Sequence, residues 1–426
     1  MTAEASHQEH VPESALAEPV RKVGPLWITG LVLVNVGINA AFFGPIQVLI
    51  AQQAQAFDAS QKEAILALVT GAGAAVALIA NPLFGAFSDR TWSRFGRRRP
   101  WVLIGALVGA VALLGLAVAP NVAVATTLWC FVQLGANGAY AAITAAIPDR
   151  APVEQRGTVG GLASMGVTTG ILLGAVIGAV VSGNFALGYV VCAAALVLGV
   201  MLYLAKGADD PLPRAWIPPF SLGRFLASFW VSPRRYPDFA WAWITRFLVN
   251  LGNHMVILYL LFFLADAVHL KETQGIEPAT GFLILTGLYA IFTIATSVLA
   301  GKLSDRMGKR KPLVILSSII IAIASLTIGF FPVWPGAIAG AIILGVGFGT
   351  YLAVDLALNT QVLPQAAARG KDLGVINIAN SLPQVLAPAI AYPFVVFWGG
   401  YISLYVAAAV IGLLGAVFVT RIRSVS

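Results

Sequence analysis

Apolar runs of roughly 20 residues recur along the whole chain, separated by short polar or proline-bearing breaks. As an α-helix, each run is long enough to cross a hydrocarbon core of about 30 Å. Run length and polar punctuation predict twelve spans. They cover residues 26–50, 64–86, 101–119, 123–147, 158–181, 185–205, 238–265, 281–301, 312–331, 335–361, 373–396 and 399–420. The narrowest breaks are Ala117-Val-Ala-Pro-Asn121 and Phe331-Pro-Val-Trp-Pro335, where proline and asparagine mark turns.

Composition agrees with that pattern. Of the 426 residues, 59% are hydrophobic and 10% charged, against about 25% charged in a soluble domain. The chain reads as an all-α integral membrane protein. Its net charge of +8 follows topology rather than nucleic-acid binding, because the charges sit at the ends of apolar runs. With the N-terminus inside, 23 of the 26 Lys and Arg fall on the cytoplasmic side. Lys62 and Lys271 fall outside, and Arg246 lies within a span. That split supports both the count and the orientation. The first 20 residues hold four glutamates and no lysine or arginine, unlike a signal peptide. Residues 1–22 are read as a disordered cytoplasmic tail. Cys130 and Cys192 lie inside apolar runs and form neither a disulfide framework nor a metal site.

One charged phrase is written twice. GAFSDRTWSRFGRRRP runs from Gly85 to Pro100, and GKLSDRMGKRKP begins at Gly301. Each lies between the second and third span of six, and the first copy has four extra residues between its Asp and its Gly. Gly138-Ala-Tyr-Ala-Ala-Ile-Thr144 matches Gly349-Thr-Tyr-Leu-Ala-Val-Asp355 in the fourth span of each half. A proline-rich stretch, 206–237, divides the halves. The expected organisation is a bundle at 23–205, a cytoplasmic linker at 206–237 and a second bundle at 238–422. In each phrase the arginines suit headgroup anchoring and orientation. Neither role needs an acid. Asp89 and Asp305 are therefore candidates to pair with a neighbouring arginine, or to cap a helix of the other bundle, when the cytoplasmic side closes. Asp89, Arg90, Arg97, Arg98, Asp305, Arg306 and Arg310 form the expected gate.

The doubled G-x-x-SDR…G-[RK]-R motif within twelve spans resembles the major facilitator superfamily over about residues 24–422. That resemblance implies the major facilitator fold, two six-helix repeats rocking around a midplane site. The expanded SDRTWSRFGRRRP and the span-eleven stretch GKDLGVINIANSLPQVLAPAI are similar to the glycoside–pentoside–hexuronide and sucrose–proton symporters. This implies proton-coupled import of a sugar. The chain departs from that group in span four. Aligning its last acid on Asp149 puts Gln133 where the proton-carrying acid would stand and Thr144 at the sugar-binding arginine. The sodium-binding acids of melibiose-type symporters have no match near Asn137.

Ionisable groups inside spans are costly, and are functional candidates by default. Arg246 and His254 in span seven and Asp355 in span ten qualify. Asp355 is the expected proton carrier, with Arg246 as the cation that changes its proton affinity and His254 as a second candidate. A permanent structural pair, or a second gate, remain alternatives for the Arg246–Asp355 combination. Polar stripes at helical spacing supply the expected substrate residues: Asn35 and Asn39; Gln133, Asn137, Tyr140 and Thr144; Asn250, Asn253 and Tyr259; Asn359; Asn377, Asn380 and Gln384. Amides and rings suit a neutral sugar or glycoside, while helix–helix adhesion is the alternative for each asparagine. No catalytic constellation, cofactor loop or metal cluster is found. The expected partners are a small-molecule substrate, protons and the lipid bilayer, with no nucleic acid, in a monomer of the plasma (inner) membrane with both termini cytoplasmic. Two rival functions remain: a proton-driven efflux antiporter of a drug or metabolite, and a nontransporting receptor or scaffold on a transporter fold.

Overall fold

A computed structural model describes residues 19–181, 183–206, 221, 223, 232–307, 310–361 and 369–423. Among these residues there are twelve long helices. They are α1 (Pro25–Phe57), α2 (Lys62–Asp89), α3 (Arg99–Ala117), α4 (Val122–Arg150), α5 (Val153–Val180) and α6 (Phe185–Lys206), then α7 (Pro237–Asp266), α8 (Pro278–Met307), α9 (Lys311–Phe330), α10 (Trp334–Gln361), α11 (Arg369–Val396) and α12 (Gly400–Val419). Among the described residues, 11 of them are long and apolar enough to cross a membrane. The other is α11, whose 28 residues hold Lys371, Asp372, several amides and three internal prolines. The expected tail, and most of the expected linker, lie outside the described residues.

Sequence signals set the helix ends. Proline stands in the first turn of α1, α3, α7 and α9, where its missing N–H costs nothing. Asn121 caps α4 by accepting from Val124 N. Two interruptions follow, the first opening on Pro45 and the second without such a signal. A π-helical turn, Pro45–Leu49, lies within α1. The helix of α7 breaks at Tyr259, between Pro237–Leu258 and Leu260–Asp266. A further short helix, Leu270–Gln274, lies between α7 and α8.

Packing repeats with an offset of six helices. In the first six, α1 packs on α5 and α6, α2 on α4, and α3 on α4 and α6. In the second six, α7 packs on α11 and α12, α8 on α10, and α9 on α10 and α12. Across the seam the same rule holds: α2 meets α11, and α5 meets α8. The π-turn of α1 also touches α7. Helices in lipid lack a hydrophobic drive toward one another, so small residues that allow close approach matter. A glycine every four residues on α5 does this against α1. A Cβ on Gly166 would stand 2.7 Å from Val32 O, and one on Gly170 2.6 Å from Val36 O.

Candidate functional site

The centre of the second half holds a buried ion pair. Arg246 on α7 places Nη1 2.6 Å from Oδ2 of Asp355 on α10. Arg246 lies about 14 Å along α7 from Pro237, at 1.5 Å per residue. Asp355 is 6% exposed. Its other oxygen accepts from the Tyr351 hydroxyl at 2.7 Å, one helical turn away. Arg246 Nε donates to Asn380 Oδ1 on α11 at 3.2 Å. A carboxylate this deep needs these partners, since an unpaired buried charge is strongly unfavourable. In the sequence repeat, Tyr140 and Thr144 of α4 stand where Tyr351 and Asp355 stand in α10. The acid therefore belongs to one half alone.

The polar stripe of α7 continues from that pair. Asn250 Nδ2 donates to Arg246 O at 2.8 Å, and His254 Nδ1 meets Asn250 O at 2.7 Å. A carbonyl only accepts, so Nδ1 carries the hydrogen, and in the neutral ring Nε2 is an acceptor. Asn253 is 3% exposed and lies beside Tyr289 of α8. On the first half, Asn35 and Asn39 of α1 and Gln133 and Asn137 of α4 are all buried. Their amide donors return to their own helices: Asn35 to Leu31 O, Asn39 to Asn35 O, and Asn137 to Gln133 O and Oε1. Tyr140 is half-buried, while Thr144 and Gln384 are exposed. The side chains of Asn359 and Asn377 lie outside the described residues.

The aromatic residues of α7 occupy seams. Trp243 Nε1 donates to Val375 O of α11 at 2.9 Å, and its ring stacks on Phe247. Trp241 stacks on Phe418 of α12. Tyr259 is fully buried, with its hydroxyl 3.5 Å from Glu63 O.

At the end of the bundle that carries the doubled phrase, the arginines of the first copy turn inward. Arg98 binds Asp89 at 2.6 Å and Asp149 at 2.8 Å, and it also donates to Ser88. Arg97 reaches the second oxygen of Asp149 at 2.7 Å. Arg99 donates to Leu204 O at the end of α6, and Arg90 donates to Ala86 O. The loop thus ties α2, α3, α4 and α6 together. Asp89 takes the first of its two expected partners, a neighbouring arginine. Headgroup anchoring, the role expected of this cluster, gives way here for Arg97 and Arg98, because two acids and a hydroxyl lie within reach and both side chains are buried. Sequence reasoning missed Asp149 as the hub, although an acid beside an arginine at the end of α4 was a visible signal. In the second copy Arg306 is exposed and Arg310 half-buried, and the side chain of Asp305 lies outside the described residues.

The opposite end carries a latch that sequence reasoning also missed. Lys62, at the start of α2, places Nζ 2.7 Å from both oxygens of Asp266, at the end of α7. The Tyr401 hydroxyl, at the start of α12, donates to the same carboxylate at 2.8 Å. Lys62 also stands over the Phe262 ring at 4.9 Å and lies 4.0 Å from Glu63. This contact joins the two halves directly. Sequence spacing carries no signal for a pair 204 residues apart.

Among the described residues, no group of three His, Cys, Asp or Glu is placed to hold a metal ion. The constellation instead consists of two packed helical halves, one buried ion pair between α7 and α10, and a salt bridge across the seam.

Comparison with known proteins fits this arrangement. The profile of the Major Facilitator Superfamily matches residues 26–284 and again 259–426. "Multi-drug resistance efflux pump PmrA" of Streptococcus pneumoniae is 24% identical over 303 residues, covering 67% of this chain and 71% of that protein. "Probable polyol transporter 3" of Arabidopsis thaliana is 29% identical over 132 residues, 31% of this chain and 24% of that one. Among solved structures, a peptide transporter POT in complex with sulfate superposes with a TM-score of 0.77 at 15% identity, covering 96% of this chain and 97% of that one. A bacterial homolog of the human lysosomal transporter Spinster, inward-facing and unoccupied, gives 0.68 at 17% identity, over 94% and 96%. With the doubled motif, the six-helix packing repeat and both halves matched by one profile, this multi-pass membrane chain belongs to the Major Facilitator Superfamily.

Proposed function

We propose that this protein is a secondary active transporter that carries a sugar or glycoside with a proton by alternating access. The observation that carries the reading is the buried Arg246–Asp355 pair. A carboxylate whose cationic neighbour approaches in one state and withdraws in another changes its proton affinity between states, which coupling requires. Tyr351 and Asn380 position the two partners. With Thr144 in place of an acid in the first repeat, Asp355 is the carrier at this level, and His254, on the same α7 stripe as Arg246, is the second candidate. Substrate binds among the buried amides of α1, α4 and α7, near Asn39, Asn137 and Asn250.

The bundles at 23–205 and 238–422 rock about this site, joined by the 206–237 linker. The arginine-bearing end is cytoplasmic, because Lys and Arg bias sets orientation. That puts both termini inside and the Lys62–Asp266 latch on the outer face; the protein works as a monomer in the plasma (inner) membrane. Closed there, it holds the outer mouth shut, and the charged loops gate the inner one.

Proton flux in proteoliposomes, read by an internal pH dye on adding neutral glycosides, tests this. Internal acidification that vanishes in Asp355→Asn supports symport with Asp355 as carrier. Sugar uptake without proton movement in either protein overturns the coupling assignment. The second reading is proton-driven efflux of a drug or metabolite, favoured by the likeness to the efflux pump over 67% of this chain. Amphipathic drugs that drive proton movement where glycosides do not would establish it.

A further inference from the structure

The buried amides of the first half and of α7 share one feature that bears on substrate chemistry. An amide side chain that meets a backbone carbonyl must present its nitrogen, because a carbonyl only accepts. Asn35, Asn39, Asn137 and Asn250 each do so, donating at 2.8 Å to the carbonyl four residues earlier. One N–H of each is therefore committed to its own helix; Oδ1 remains on all four, beside a second N–H on Asn35, Asn39 and Asn250, while Asn137 donates to both O and Oε1 of Gln133. Among the described residues, no protein donor reaches those four oxygens.

Three further amide oxygens, Gln47 Oε1 and Gln52 Oε1 of α1 and Asn253 Oδ1 of α7, are sealed from the surface and have no hydrogen-bond partner. Gln47 is 9% exposed and Asn253 3%. Gln47 lies in the π-turn of α1, and that turn packs against α7, which carries Asn250 and Asn253. A π-turn inside an α-helix is rare and is frequently a functional feature. Buried acceptors without partners are unfavourable in an empty protein, and a ligand that supplies donors would satisfy them. The unpartnered indole donors lie elsewhere, in seams between helices: Trp27 Nε1 beside Tyr203 of α6, and Trp129 Nε1 against Gly73 of α2.

We infer that Gln47, in the π-turn of α1, is a recognition residue, and that its Oε1, with Asn253 Oδ1 on the touching helix α7, accepts hydrogen bonds from the substrate's donors. This rests on the transport reading above and deepens it. The ligand class is a polyhydroxylated, uncharged molecule bound by its O–H groups.

The test is ligand-induced thermal stabilisation of the full-length protein in detergent. Sorbitol and sucrose would be compared with their per-O-methyl ethers, which keep every oxygen but lose every donor. The expected result is stabilisation by a parent polyol, and at least tenfold weaker apparent affinity for its ether. Gln47→Leu gives a second readout. It should leave the empty protein as stable as before, or more so, because a sealed orphan oxygen is removed, while weakening polyol binding about tenfold, the ratio that 1.4 kcal/mol sets. Equal binding of parent and ether, or Gln47→Leu binding as wild type, would overturn the inference while leaving sugar transport intact. If no polyol stabilises the protein and no glycoside moves protons in liposomes, the sugar reading itself fails, and this inference with it.

Discussion

At Arg246 and Asp355, two costly residues become tolerable by meeting. Breaking a buried pair from one side leaves an uncompensated charge, a loss of about 3–5 kcal/mol. Arg246→Met should therefore destabilise the protein by that order, strongly enough to lower its unfolding temperature in detergent. Arg246→Met combined with Asp355→Asn should recover most of the loss, since both charges are then gone. If the double variant is no better than the single one, the pair is not the unit that the 2.6 Å contact indicates. Tyr351→Phe removes one donor to Asp355 and should cost about 0.5–1.5 kcal/mol in the same assay. The existence of this site was legible in the sequence, because an arginine and an aspartate inside apolar runs stand out. Its neighbours were not. Tyr351 and Asn380 look like any other polar residue in a span, and only the packing of α7, α10 and α11 assembles them.

Among the helices, boundaries were largely readable. Proline in a first turn and Asn121 as a cap are local signals, and most described helices begin and end within three residues of the apolar runs, although α1 runs on to Phe57, α8 to Met307 and α5 starts at Val153. The π-turn of α1 and the break at Tyr259 are different. Each changes a helix already committed by length, and each sits where α1 and α7 approach the other half. The glycine ladder of α5 was readable as close packing, but not as packing on α1. It gives a clean contrast. Gly170→Ala places a methyl 2.6 Å from Val36 O, whereas Gly160→Ala meets nothing within 4 Å. Alanine gains about 1 kcal/mol of helix propensity over glycine, so Gly160→Ala should be neutral or stabilising. Gly170→Ala should lose about 1–3 kcal/mol to overpacking. Thermal unfolding of the two variants side by side checks this, and equal behaviour would mean that α5 does not need that approach.

For the whole molecule, the Lys62–Asp266 latch sets how the halves rest against each other. The two side chains are 13% and 34% exposed, so solvent screens the pair. Exposed pairs contribute about 0.2–1 kcal/mol, and the upper end suits a lysine shared by both carboxylate oxygens and backed by Tyr401. Losing about 1 kcal/mol shifts a two-state population about fivefold. Lys62→Ala should shift the ensemble by that factor toward a parted latch end, read as a longer distance between spin labels at Ser60 and His269. Lys62→Asp with Asp266→Lys should return it. Raising salt should mimic Lys62→Ala in the wild type and do little in that variant. An unchanged distance in Lys62→Ala would show that apolar contact along α2–α11 and α5–α8 holds the halves alone.

The sequence by itself determined that the chain is a duplicated set of twelve membrane helices. Run length, loop charge and repetition are one-dimensional quantities, and the bilayer imposes them on the chain directly. It also marked Asp355, Arg246 and the charged loop, because charge in an apolar run is conspicuous without any fold. Only the tertiary structure decided which charges meet. The arginines of the first loop turn inward to Asp149 and Asp89, Lys62 crosses to Asp266, and Arg246 finds Asp355 and Asn380. Those choices depend on distances between residues far apart in sequence, and helix packing, not periodicity, sets them.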